Sequence, residues 1–96
     1  MLENKFQSNL IKELKKEFPG CMVLKNDSSY LQGIPDLTIF YKKHWAMLEC
    51  KKNVTAHKQP NQEYYVNKMN EMSYAAFVCP ENKTEVIAEL KKKFGE

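Results

Sequence analysis

The sequence predicts an α/β domain with a mixed central sheet flanked by helices, in the order α-β-β-β-α-β-α. Three observations carry this. Phe6, Leu10, Leu14 and Phe18 recur every fourth residue, the period of one helix face. The stretches from Gly33 to Tyr41 and from Trp45 to Lys51 are rich in apolar and aromatic residues, and only Lys42-Lys43-His44 separates them, which reads as two strands of a hairpin. A helical stripe after Pro60 and then a buried strand at Ala75 to Cys79 give a strand, a crossover helix and another strand. Such a unit favours parallel pairing with a right-handed connection.

The elements follow in order. The first helix runs from about Leu2 to Phe18, with Ile11 at the edge of its apolar stripe, and Pro19-Gly20 stops it. At ~100° per residue, Glu3 falls on the azimuth of that stripe and Gln7 lies close by. Cys21 to Lys25 is a strand, and Asn26-Asp27-Ser28-Ser29 reads as plain turn chemistry. Lys52 to Lys58 is a polar connection. Gln59-Pro60 then opens the second helix, with proline at a tolerated first-turn position. Gln62, Tyr65, Val66, Met69 and Met72 form its inward stripe, which makes both methionines core and sets Gln62 near the end of the Lys51 strand. Pro80 ends the last strand and starts a final helix with Val86, Ile87, Leu90 and Phe94 on its apolar face.

Length and composition fit one domain over residues 1–96. A chain of 96 residues is small, yet a chain of this size buries roughly 60% of its unfolded surface. An apolar content of 43% supports a packed core over disorder. No stretch approaches the ~18 apolar residues of a membrane span. Lys5, Lys12, Lys15 and Lys16 interrupt the N-terminus, so no signal peptide is expected. Cys21, Cys50 and Cys79 are odd in number and widely spread. They read as reduced thiols in a cytoplasm, with Cys50 and Cys79 in strand cores.

The chemistry concentrates on the hairpin. Side chains alternate along a strand, so Glu49 and Lys51 share a face and Cys50 points the other way. Any even-numbered loop between the strands places Asp36 opposite Glu49. Lys42-Lys43 is poor chemistry for a two-residue primed turn, so a four-residue loop around a type I turn is expected. Two carboxylates a few ångströms apart repel each other by several kcal/mol in a partly desolvated site. A bound cation turns that repulsion into attraction.

Pro35-Asp36 followed by Glu49-Cys50-Lys51 resembles the motif of the PD-(D/E)XK nuclease superfamily. Gly33-Ile34-Pro35-Asp36, a glutamate at the start of the first helix (Glu3) and a glutamine in the following helix (Gln62) extend the resemblance to its VRR-NUC branch. That branch includes small stand-alone nucleases, many phage-encoded, related to Holliday junction resolvases. The resemblance implies a restriction-endonuclease-like α-β-β-β-α-β core, to which this chain adds a C-terminal helix. It implies Mg²⁺ or Mn²⁺ held by Asp36, Glu49 and the Cys50 backbone carbonyl, with Glu3 completing the shell. Lys51 then orients the attacking water and offsets phosphate charge, and Gln62 holds Lys51 or a phosphate. Lys25, Lys52, Lys58 and Gln7 are the expected nucleic-acid contacts. The implied partner is DNA, branched or otherwise structured, cut by a homodimer in a bacterial or phage setting.

All fifteen basic residues are lysine, and the net charge is +3. Lys91-Lys92-Lys93 reads as a solvated surface. Lys25, Lys42, Lys43, Lys52 and Lys58 flank the motif and suit phosphate as point charges. Without arginine the chain lacks the fork that reads guanine edges, which favours recognition of backbone and shape over base sequence. Tyr30, Tyr41 and Trp45 are candidate exposed aromatics for an interface or for DNA, and Tyr64 or Tyr65 could stack on bases. His44 and His57 have no partners spaced for a zinc site and read as surface residues. The competing class is a nucleic-acid-binding or assembly module that keeps the fold without catalysis. It would bind DNA equally well with a chelator present.

Overall fold

The computed structural model describes residues 2–95; Met1 and Glu96 of the expected 1–96 domain lie outside them. The elements are α1 (Glu3–Glu17), β1 (Met22–Lys25), β2 (Leu37–Tyr41), β3 (His44–Cys50), α2 (Pro60–Met72), β4 (Ala75–Val78) and α3 (Lys83–Lys93). The strands lie in the order β1-β2-β3-β4. The first three pair antiparallel, and β4 pairs parallel to β3. This is the expected mixed sheet. The right to place β4 parallel comes from α2, which crosses over between β3 and β4.

The two faces of the sheet differ. Leu37, Ile39, Leu48, Cys50 and Val78 point to one side, where they join Phe6, Leu10, Leu14 and Phe18 of the α1 stripe and Val86, Ile87, Leu90 and Phe94 of the α3 stripe. Leu14 and Phe18 are wholly buried, and each such side chain contributes about 1.5–3 kcal/mol. Ion pairs from Lys83 to Glu13 (2.8 Å) and from Lys91 to Glu17 (2.7 Å) join α3 to α1 at the surface. The opposite face carries Asp36, Thr38, Met47, Glu49 and Lys51, and α2 covers its β3 and β4 side.

Several expectations change. The hairpin loop is Lys42-Lys43 alone, since Tyr41 pairs with His44. Lys42 adopts the left-handed region (φ 56°), which costs an L-residue roughly 1–2 kcal/mol. Ring packing at the base of the turn outweighs that cost. Tyr41 lies 5.4 Å from Phe18 and 5.7 Å from Phe94, and His44 stacks on Phe94 at 6.0 Å. Tyr41 is therefore core, not an exposed aromatic. Met72 is exposed and Met69 only half-buried, so Val66 is the buried residue of α2. The last helix starts at Lys83, not at Pro80. Asn82 bridges the intervening corner, accepting from Cys79 N–H (2.8 Å) and donating to the Phe77 carbonyl (3.0 Å). All three cysteines are free thiols, with Cys50 and Cys79 buried as expected. Among the described residues, no helix is long and apolar enough to cross a membrane.

Candidate active site

The hairpin register brings the site together. Leu37 lies opposite Leu48, so one further step sets Asp36 opposite Glu49. Two hydrogen bonds fasten that step. The Asp36 N–H donates to Glu49 Oε1 (3.2 Å), and the Cys50 N–H donates to Asp36 Oδ2 (2.9 Å). Glu49 and Lys51 are buried polar residues, and Asp36 is half-buried.

Gln62 connects the acid to the amine. Pro60 occupies the first turn of α2, and Gln59 with Gln62 forms a capping box. This sets the Gln62 side chain at the helix start, facing β3. Its Nε2 donates to Glu49 Oε2 (3.0 Å). Its Oε1 accepts from Lys51 Nζ (2.8 Å) and from the Gln59 N–H (3.0 Å). Two donors on the oxygen and a carboxylate on the nitrogen leave only one sensible orientation of the amide.

The charges in this site are in conflict. The Glu49 carboxyl is raised to about 7, first by burial and then by the neighbouring Asp36 charge, with Lys51 and the Asp36 N–H opposing and Glu3 adding a little. Burial also raises Asp36, while the Cys50 N–H and Lys51 pull it back. The Cys50 thiol beneath them is pushed up to about 12 by burial and by the two carboxylates. Two desolvated carboxylates sharing one ammonium are a site that a hard dication would relieve. The donor chemistry fits Mg²⁺ or Mn²⁺, since such ions are held through one or two carboxylates and keep several waters. Among the described residues, no three His, Cys, Asp or Glu side chains form a ready-made cluster. Asp36 and Glu49 are the two carboxylates this site brings together.

The remaining expected residues stand at different distances from this pair. Glu3 opens α1 with an exposed side chain and acts on Glu49 through its charge. Gln7 is half-buried with its amide against the Cys50 thiol. Lys25 ends β1 beside Leu37 and is exposed, as is Lys52. Lys58 is exposed with its ammonium 4.8 Å over the Phe77 ring. Phe77 neighbours Glu49 in the β3–β4 register, which keeps Lys58 near the site.

Two residues position the Asp36 segment in ways the sequence does not show: Asn26, and Gly33 of the motif. Asn26, assigned there to plain turn chemistry, donates from its amide to the Pro35 carbonyl (2.8 Å) and to the Thr38 hydroxyl (2.8 Å). Its backbone N–H donates to the Asp36 carbonyl (2.8 Å). Asn26 therefore brackets Asp36 from both sides. The signal was its place one residue beyond Lys25, which the β1–β2 register sets opposite Asp36. Gly33 has φ +92°, and a Cβ there would stand 2.8 Å from Asn61. Only glycine lets the loop before Asp36 close against the start of α2.

No protein-family model matches the chain, and neither does any curated protein. Among solved structures, a VRR_NUC domain protein superposes with a TM-score of 0.70 at 18% identity, covering 97% of this chain and 90% of that one. The chain therefore has the fold of that VRR_NUC domain protein, the fold that Gly33-Ile34-Pro35-Asp36 and Glu49-Cys50-Lys51 lead one to expect.

Proposed function

We propose that this chain is a metal-dependent endodeoxyribonuclease that hydrolyses phosphodiester bonds in branched DNA. The observation that supports this best is the linked set of Asp36, Glu49, Lys51 and Gln62 on one face of a VRR-NUC-like fold. Asp36, Glu49 and the Cys50 carbonyl, with Glu3 nearby, would hold Mg²⁺ or Mn²⁺. When bound, that ion supplies Lewis-acid polarisation of the scissile phosphate and acidifies a water.

The protein's own groups do the rest. Lys51, held by Gln62, places an ammonium beside the carboxylates, where it offsets phosphate charge and orients the attacking water. Gln62 keeps the amine and the Glu49 carboxylate at fixed separation through one amide. Asn26 and the Cys50 N–H fix Asp36 in backbone and in side chain. Lys25, Lys52 and Lys58 suit phosphate contacts around this centre, and Gln7 supports it from below through Cys50. A homodimer would offer two such centres to the two strands of a four-way junction. Reduced thiols agree with action in the cytoplasm.

Labelled four-way junction, flap, duplex and single strand, incubated with Mg²⁺, Mn²⁺ or EDTA, test this reading. Metal-dependent cuts in branched DNA, lost in Asp36→Ala, support it. DNA binding unchanged by EDTA, with no cleavage of any substrate, would instead make the chain a binding module.

A further inference from the structure

The sheet face that carries Asp36, Glu49 and Lys51 is only half covered. α2 lies over β3 and β4. Over β1 and β2 the same face is open and apolar, with Met22 60%, Leu24 45% and Phe40 43% exposed. Met22, Phe40 and Trp45 form one row across the strands, and Leu24, Thr38 and Met47 form the next. The following row is Asp36 and Glu49. Successive rows on one face lie ~7 Å apart, so the strip runs ~14 Å from the carboxylates to the hairpin. The loop after β1 walls it: Asn26, Asp27, Tyr30, Leu31, Ile34 and Met47 line an open groove of about 430 Å³, with the one carboxylate, Asp27, turned to its own Ser29. Tyr30 stands at the rim, 90% exposed. The turn residues Lys42 and Lys43 close the far end.

Thr38, between Phe40 and Asp36, is buried beneath the Asn26 amide, and the apolar side chains exposed around it mark a binding surface. Aromatic rings on an open sheet with lysines at the edge suit bases and phosphates together. We propose that the strip is a track for an unpaired DNA strand leading away from the Asp36–Glu49 centre. Bases stack on Phe40, Trp45 and Tyr30, and Lys43 meets the backbone. The inference rests on the nuclease reading for the kind of polymer bound. The groove's concavity favours flat rings over a second copy of this chain, which would need a matching surface of about 800 Å² per partner. The absence of arginine agrees with stacking that does not discriminate between bases.

Trp45 is the chain's one tryptophan and so reports on its own track. The experiment is titration of Trp45 fluorescence in EDTA with an oligothymidylate of about twelve nucleotides, a length within the usual site sizes. A blunt duplex and a range of protein concentrations serve as controls. The track predicts saturable quenching by the single strand and little by the duplex. Phe40→Ala and Tyr30→Ala, both at exposed positions, should each weaken binding roughly tenfold. Unchanged binding in both variants, or no quenching, would overturn it. So would a Trp45 signal that follows protein concentration together with a sedimenting dimer, since a second copy would then cover the face. Cleavage without quenching refutes the track alone, and quenching without cleavage refutes the nuclease reading alone.

Discussion

Replacing Asp36 by Asn should stabilise the metal-free protein while abolishing its proposed activity. The amide is nearly isosteric, and its oxygen can still accept from the Cys50 N–H. What disappears is the half-buried negative charge beside buried Glu49. Glu49 is raised from its ordinary 4.5 to about 7, which corresponds to about 3 kcal/mol at 1.36 kcal/mol per pH unit. Burial is the larger cause and the Asp36 charge the second, so the repulsion is the smaller share of that figure, on the order of 1 kcal/mol. Because the folded pKa exceeds the unfolded one, the stability linked to Glu49 is full below pH 4.5 and is lost as pH rises through about 7. The advantage of Asp36→Asn should therefore be greatest near pH 8 and fade near pH 5. In a domain of this size about 1 kcal/mol raises Tm by roughly 4–8 °C. Thermal melts of both proteins in EDTA across that pH range read it directly. A variant no more stable than the parent at pH 8 would refute the conflict between the two carboxylates.

Other consequences follow from the same geometry. Mg²⁺ should raise the melting temperature of the parent at pH 8 but not that of Asp36→Asn, and a site filled at a hundred times its Kd gains about 2.7 kcal/mol. Gln62→Ala removes bonds to two charged groups and part of the α2 cap. It should cost about 2 kcal/mol in denaturant unfolding and lower kcat more than it raises KM. Gly33→Ala combines strain at positive φ with a clash at Asn61. It should cost about 2–3 kcal/mol and speed amide hydrogen exchange in the loop before Asp36.

Much of this architecture is legible in the chain, for identifiable reasons. The four-residue period of Phe6 to Phe18 places α1 to within a residue, because one wide apolar face was enough. The facing of Asp36 and Glu49 needs only an even loop, so the two-residue turn gives it as well as a four-residue loop does. Lys42 at positive φ could not be foreseen, since the rings of Phe18, Tyr41 and Phe94 meet only in three dimensions. The burial of Tyr41 was available from strand alternation with Leu37 and Ile39, which share its face. Periodicity gave Met72 its azimuth but not how far the sheet extends beneath the last turn of α2. Asn26 depends on the register between β1 and β2, and the long loop joining them leaves that register open to a reader of the sequence alone.

If Asp36, Glu49 and Lys51 act together on a phosphodiester, none of them can be replaced without loss of cleavage. The most direct test is the cleavage rate of a labelled four-way junction in Mg²⁺ by the parent, Asp36→Asn, Glu49→Gln and Lys51→Ala, each first shown to be folded by circular dichroism. Cleavage is expected from the parent alone and is lost on adding EDTA. Parental cleavage rates in all three folded variants would contradict it.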